Sequence, residues 1–243
     1  EGVRLRLAHQ QPLLPDSLFG HLVATAVPGV EEWRDGWYRR TLRLTHGTGI
    51  AALRPADGYI DCHLVLDDLR DLSVAVARCR WLLDLDADPR AIDAHLATDR
   101  VFAPLVHAAP GRRVPRTVDS AEFAIRAVLG QQVSTKAAQT HAARIVHALG
   151  VPIHDPHGAL THVFPTMDAL AGMDPTRLAL PRRRAATVVE LAAACARGDV
   201  DLRAGADIEA VRTQLAALAG IGPWTVETIA MRSLGDPDAF VAS

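Results

Sequence analysis

Near residue 87 the chain changes its periodicity, and that change constrains the fold more than any other feature of the sequence. Before it, Val3, Leu5 and Leu7 alternate with polar residues, as do Ile60, Cys62, Leu64 and Leu66. Alternation of period two marks strands with one buried face. Between these runs, Leu18 to Val27 reads as a helix opened by Asp16 or Ser17 and closed at Pro28–Gly29, and a second helix runs from about Leu72 to Leu83. Beyond residue 87 the strand pattern stops. The expected fold class is α+β: an antiparallel β-sheet with helices on one face over residues 1–87, then an all-α region over residues 88–243.

The second part carries helix punctuation. Ala108 to Val118, with Pro110, Gly111 and Pro115, reads as a linker or loop. Asp119 or Ser120 caps a helix through Leu129, which Gly130 ends. Ser134 caps the next, where Ala138, Ala142, Ile145 and Leu149 form one stripe before Gly150. Thr166 caps a short helix from Met167, and another spans Arg184 to Arg197 and stops at Gly198.

Composition excludes several classes. Of 243 residues 49% are hydrophobic, enough for a sizeable core, and 26 basic against 28 acidic side chains leave a formal charge of -2. A general basic coat for nucleic acid is ruled out, so any DNA contact must be a local patch. Cys62, Cys79 and Cys195 show no paired spacing, which argues against a disulfide scaffold or a four-cysteine iron–sulfur site. No signal peptide and no membrane-length apolar run is present, so the expected setting is a reducing cytoplasm with no membrane partner. Lys136 is the only lysine, and the chain opens at Glu1 rather than methionine, as a piece of a longer protein would.

The stretch from Leu215 to Ala230 carries the chemistry. Val211, Leu215 and Leu218 form the apolar stripe of one helix, Gly220-Ile221-Gly222 makes a tight turn, and Pro223 suits the first position of a second helix. Amide groups at that second N-terminus can face a phosphate with no basic side chain involved. On the turn alone, an ordinary αα-hairpin remains an open reading.

Two motifs in order narrow it. Leu218-x-Gly-Ile-Gly-Pro-x-Thr225 resembles the helix-hairpin-helix motif of the DNA glycosylase superfamily, and Arg126-Ala-Val-Leu-Gly-Gln-Gln-Val-Ser-Thr-Lys-Ala-Ala138 resembles that superfamily's loop facing the opened duplex. With the β-containing N-terminal block, Phe164-Pro-Thr166 and Trp224, the resemblance is to the DNA-3-methyladenine glycosylase II (AlkA) type and runs from about Val3 to Ser243. It implies a monofunctional glycosylase of base excision repair, acting on double-stranded DNA as a monomer. Such an enzyme flips an alkylated base from the stack and hydrolyses its N-glycosidic bond.

Carried over residue by residue, the resemblance places Trp224, Thr228 and His21 at the base pocket, where Thr228 stands in place of a tyrosine and His21 in place of a phenylalanine. It puts Gln131, Gln132, Gly220, Ile221, Gly222, Pro223 and Thr225 at the DNA. Gln132 occupies the gap-filling position that the family gives to leucine. The main-chain carbonyls of Ala216, Leu218 and Gly220 match a superfamily site for a monovalent cation, Na+ or K+; no other cofactor is implied. Counting the family's spacing from Gly220 puts the catalytic aspartate at the position after Ser243, so residues 1–243 are expected neither to complete the site nor to cleave. Asp236 and Asp238 sit at the wrong offset and read as solvated turn residues around Pro237.

Trp224 stands where bifunctional superfamily members have a Schiff-base lysine, which argues against a lyase. Cys62 and His63 are adjacent on an expected strand and point to opposite faces, so the pair reads as structural. Arg112, Arg113 and Arg116, and the run Arg182–Arg184, fit either phosphate contacts or solvated surface. Two alternatives to the alkylated-base enzyme stay open: a glycosylase for another lesion, and a DNA-damage binding module without catalysis. AlkA-type domains also occur fused behind an Ada-type regulatory region, which the missing methionine accommodates.

Overall fold

A computed structural model describes residues 2–241, which fall into two compact units. The first comprises the chain up to Ala26 and Glu31–Val118; the second comprises Val27–Val30 and the chain from Asp119 onward. No helix among the described residues is long and apolar enough to cross a membrane.

The first unit is built on a five-stranded antiparallel sheet in the order β1-β5-β4-β3-β2, from β1 (Val3–Ala8), β2 (Glu31–Arg34), β3 (Trp37–Arg43), β4 (Thr48–Ala56) and β5 (Tyr59–Leu66). The alternation read in β5 places Ile60, Cys62 and Leu64 in the core, packed with Leu18, Phe19 and Leu22 of α1 (Pro15–Ala24) and Ala75, Cys79 and Leu82 of α2 (Leu72–Leu82). Each leucine, isoleucine or phenylalanine among them contributes about 1.5–3 kcal/mol on burial. In β1 only Leu7 is buried; Val3 and Leu5 are half-buried.

Helix α1 begins and ends three residues before the sequence expectation. Pro15 takes its first turn, where the missing N–H costs nothing, and Thr25 closes it by donating both its N–H and Oγ1 to His21 O. Strands β2–β4 escaped the period-two reading for physical reasons. β4 is buried continuously from Gly49 to Leu53, and Arg40 takes an inward position of β3. That arginine is 2% exposed and donates to Glu31 at 3.1 Å, while Tyr38 Oη donates to the same carboxylate at 2.7 Å. A buried charge is tolerable only with such partners.

The division between units falls at Val118 rather than at residue 87. Two further helices, α3 (Pro89–Leu96) and α4 (Phe102–Ala108), precede it, and the Pro/Gly stretch after them is an ordered strap of the first unit, not a free linker. Arg113 explains this: it is 5% exposed and its guanidinium donates to the carbonyls of Asp84, Ala87 and Gln10. Gly111 N–H donates to Asp93 at 2.8 Å, Arg116 N–H to Leu82 O at 2.9 Å, and Val118 packs into the core.

The second unit is helical, as expected, apart from a short ribbon of β6 (Val151–Pro152) with β7 (His162–Val163). Its helices are α5 (Ser120–Leu129), α6 (Thr135–Leu149), α7 (Met167–Ala171), α8 (Arg182–Arg197), α9 (Ile208–Ala216) and α10 (Pro223–Ile229), the last running into a π-turn over Ala230–Leu234. The sequence caps are the structural ones. Asp119 accepts from Ala121 and Glu122 N–H, Ser134 from Ala137, and Thr166 from Ala169; Gly198 ends α8 at φ +81°. Helix α8 begins at Arg182, two residues before the expected start. Val128, Ile125, Val188, Leu191, Val211, Leu215, Ile221 and Ile229 fill the core beneath the α9–α10 hairpin.

Candidate nucleic-acid interface

The hairpin follows from stop and start signals in series. Val211 and Leu215 anchor α9 in the core; Leu218 lies past the helix end and is half-buried. Gly220 then turns the chain at φ +89°, a left-handed value that side chains resist. It is also crowded, since a Cβ there would lie 2.2 Å from Oγ1 of Thr187 on α8, the hydroxyl that donates to Ala219 O at 2.9 Å. Ile221 is buried and pins the turn, donating its N–H to Leu218 O at 3.2 Å. Gly222 caps α10 and Pro223 takes its first position. Gly222, Pro223 and Trp224 are exposed, and the N–H groups of Gly222 and Trp224 have no intramolecular acceptor among the described residues. Two free amides at a helix start are an anion-binding arrangement.

The turn between α5 and α6 is joined to this hairpin by side chains. Gln131 Nε2 donates to Gly220 O at 3.0 Å and to Thr225 Oγ1 at 2.9 Å, and Arg184 Nη2 of α8 donates to Gln131 O at 2.6 Å. The next residue, Gln132, is exposed and held at φ +52°. A non-glycine residue in that region costs of order 1 kcal/mol and persists where its surroundings over-determine it.

Trp224 is 44% exposed on the first turn of α10. Thr228 lies one turn along the same face and donates Oγ1 to Trp224 O at 2.7 Å. His21 lies in the first unit, half-buried on α1. Thr225 departs from its expected place at the DNA: it is 2% exposed, and its hydroxyl is taken up by Gln131. The carbonyls of Leu218 and Gly220 each accept one hydrogen bond, from Ile221 N–H and Gln131 Nε2, so each keeps a lone pair. Neutral oxygens of this kind suit a hard cation.

Asp236 corrects the sequence reading. It is 9% exposed, not solvated, and ion-paired with Arg212 of α9. Arg212 also grips Glu227 of α10 through two contacts of 2.9 Å, Nε to Oε1 and Nη2 to Oε2. These hydrogen bonds hold the Glu227 carboxyl below its usual range and push the Arg212 guanidinium up. The network has no local sequence signal, because its members are 15 and 24 residues apart. Asp238 is exposed, as expected. The expected catalytic position, with Ala242 and Ser243 before it, lies outside the described residues.

The arginine clusters separate. Arg113 is a structural brace, and Arg116 pairs with Asp84 at 2.9 Å while lying 4.2 Å over the Trp81 ring, so neither side chain is a free phosphate ligand. Arg112, Arg182 and Arg183 are exposed. Cys62 faces the first core, away from His63, and no group of three or more His, Cys, Asp or Glu residues that could hold a metal occurs among the described residues.

Known proteins resemble this chain at several levels. The AlkA N-terminal domain family matches residues 4–119. A Mycobacterium tuberculosis (CDC 1551 / Oshkosh) protein named "Probable bifunctional transcriptional activator/DNA repair enzyme AlkA" is 59% identical over 241 residues, covering 99% of this chain and 49% of its own length. The chain thus spans about half the length of that curated relative. The solved 3-methyladenine DNA-glycosylase from Archaeoglobus fulgidus has the same fold, with a TM-score of 0.79 at 21% identity over 96% of this chain and 80% of that one. DNA-3-methyladenine glycosylase 2 of Escherichia coli K12 is 31% identical over 229 residues, which cover 92% of this chain and 78% of the relative. Sequence identity sustained across both units, over most of the length of each partner, makes this protein a member of the DNA-3-methyladenine glycosylase 2 (AlkA) family.

Proposed function

We propose that the protein is a monofunctional DNA glycosylase of base excision repair that binds double-stranded DNA as a monomer and excises alkylated bases. The observation that carries the reading is the exposed turn Gly222-Pro223-Trp224, where two unpartnered amides stand beside an indole. The amides receive a phosphate, and the electron-rich indole face attracts an alkylated purine, which is electron-poor and often cationic. Such a base is already a good leaving group, so the remaining task is to stabilise the positive charge developing on the sugar. Gln132 fills the space that the flipped nucleotide leaves. The carbonyls of Ala216, Leu218 and Gly220 would hold Na+ or K+, which supplies positive charge beneath the phosphate. Trp224 in place of an amine leaves the hairpin no Schiff-base nucleophile. The names of the Mycobacterium relatives join a transcriptional activator to a DNA repair enzyme, the kind of pairing that the Ada-type fusion expectation calls for.

The test is chromatography of free bases released from methylated duplex DNA by a form of the protein that continues past Ser243, where the spacing from Gly220 puts the catalytic aspartate, with residues 1–243 run in parallel. Release of 3-methyladenine supports the enzyme. The second reading, a DNA-damage binding module without catalysis, is separated from the enzyme by the same assay. Tight binding to damaged duplex without any base release would favour that reading.

A further inference from the structure

We propose that Gln131 and Arg184 are positioning residues rather than DNA contacts, forming a clasp that fixes the Gln132 turn to the hairpin. This rests on the functional reading above. The resemblance puts Gln131 at the DNA, and Arg184 belongs to the densest run of arginines in the chain, yet the structure engages both elsewhere. The two hydrogens on Gln131 Nε2 are directed at Gly220 O and Thr225 Oγ1, 3.0 and 2.9 Å away, leaving the amide nitrogen no donor for a base or phosphate. Arg184 spends Nη2 on Gln131 O at 2.6 Å and is half-buried, whereas Arg182 and Arg183 beside it are exposed. Thr225 is 2% exposed, and the turn at Gly220 is tied to α8, where Thr187 Oγ1 donates to Ala219 O at 2.9 Å. The clasp therefore ends on rigid points.

Its consequence is geometric. Gln132 sits at φ +52° directly after the clasped residue, so the clasp sets where its side chain projects relative to the amides of Gly222 and Trp224. One turn holds the backbone and the other enters the gap left by a flipped nucleotide. Their separation matters only in the flipped complex, because undamaged duplex offers no gap. Loosening the clasp should thus weaken binding to gapped DNA selectively. Removing a phosphate contact weakens binding to every duplex and lowers the salt dependence.

The experiment measures affinity by fluorescence anisotropy across a salt series, with the full 243-residue chain. The probes are a duplex carrying a tetrahydrofuran abasic analogue and its undamaged counterpart. Arg184→Met and Gln131→Met should each reduce the preference for the abasic duplex about tenfold, with the slope of log affinity against log salt unchanged. A variant that removes a phosphate contact would instead weaken both duplexes together and make the slope about one unit shallower. Thr225→Val, which removes one acceptor only, gives a smaller loss of preference if thermal unfolding shows either methionine variant to be misfolded. An Arg184→Met protein that keeps its preference but loses a unit of salt slope overturns the proposal and makes Arg184 a phosphate ligand. A folded Gln131→Met or Thr225→Val protein with full preference overturns it equally. A wild-type chain with no preference overturns the functional reading and this inference with it.

Discussion

Arg212 of α9 holds Glu227 of α10 by two hydrogen bonds of 2.9 Å, so the two arms of the hairpin are tied by a side-on guanidinium–carboxylate pair. The same guanidinium reaches Asp236 beyond the π-turn and Glu209 within its own helix at 2.6 Å. Arg212→Met takes the counter-charge from two part-buried carboxylates and should destabilise the protein by about 1–3 kcal/mol. Glu227→Gln, which keeps one acceptor, should cost about 1 kcal/mol, and thermal unfolding of both variants and the double variant checks the coupling.

The same pair gives a pH dependence. Glu227 has a folded pKa below its ordinary value, first because of the hydrogen bond from Arg212. A depressed acid contributes stability that is present above its unfolded pKa of about 4.5 and is lost as pH falls through the lower folded value. Thermal melts through that acidic window should fall more steeply for the wild type than for Glu227→Gln. Parallel curves would remove Glu227 from the linkage.

Two glycines of one turn should behave differently. Gly220→Ala meets both a φ of +89° and a contact of 2.2 Å with Thr187, and should cost more than about 2 kcal/mol in thermal unfolding. Gly222 has φ -93° and open space around a built Cβ, so Gly222→Ala should leave the melting temperature nearly unchanged. A DNA affinity that nonetheless drops in Gly222→Ala would locate the phosphate at that amide.

Trp224 is 44% exposed, so Trp224→Ala should change stability little. If the indole receives the base, the alanine variant loses about 1–3 kcal/mol of binding to lesion-containing duplex, and Trp224→Phe recovers part of it. Titration of both variants against damaged and undamaged duplex reads the effect directly.

Arg112 and Arg113 are adjacent and should separate cleanly. Arg113→Met removes the guanidinium hydrogen bonds to the carbonyls of Asp84, Ala87 and Gln10 and should cost about 2–4 kcal/mol. Arg112→Met should leave thermal stability unchanged, and a shallower salt dependence of DNA binding would make Arg112 a phosphate ligand.

What the sequence determined by itself is what local chemistry decides. Asp119, Ser134 and Thr166 cap their helices because a short oxygen-bearing side chain can reach an amide two or three residues on, and Gly198 and Gly220 stand where the backbone must go left-handed. The α+β division of character, the β5 alternation and the hairpin were legible for the same reason. Tertiary structure decided the rest. Arg113 turned a Pro/Gly linker into a strap and moved the unit boundary to Val118, Arg40 hid a strand behind a buried ion pair, and Arg212 drew Asp236 out of solvent. Within the candidate interface, Gln131 met Thr225 across 94 residues of chain. A guanidinium or an amide chooses its partner by proximity in space, and no periodicity along the sequence encodes who that neighbour is.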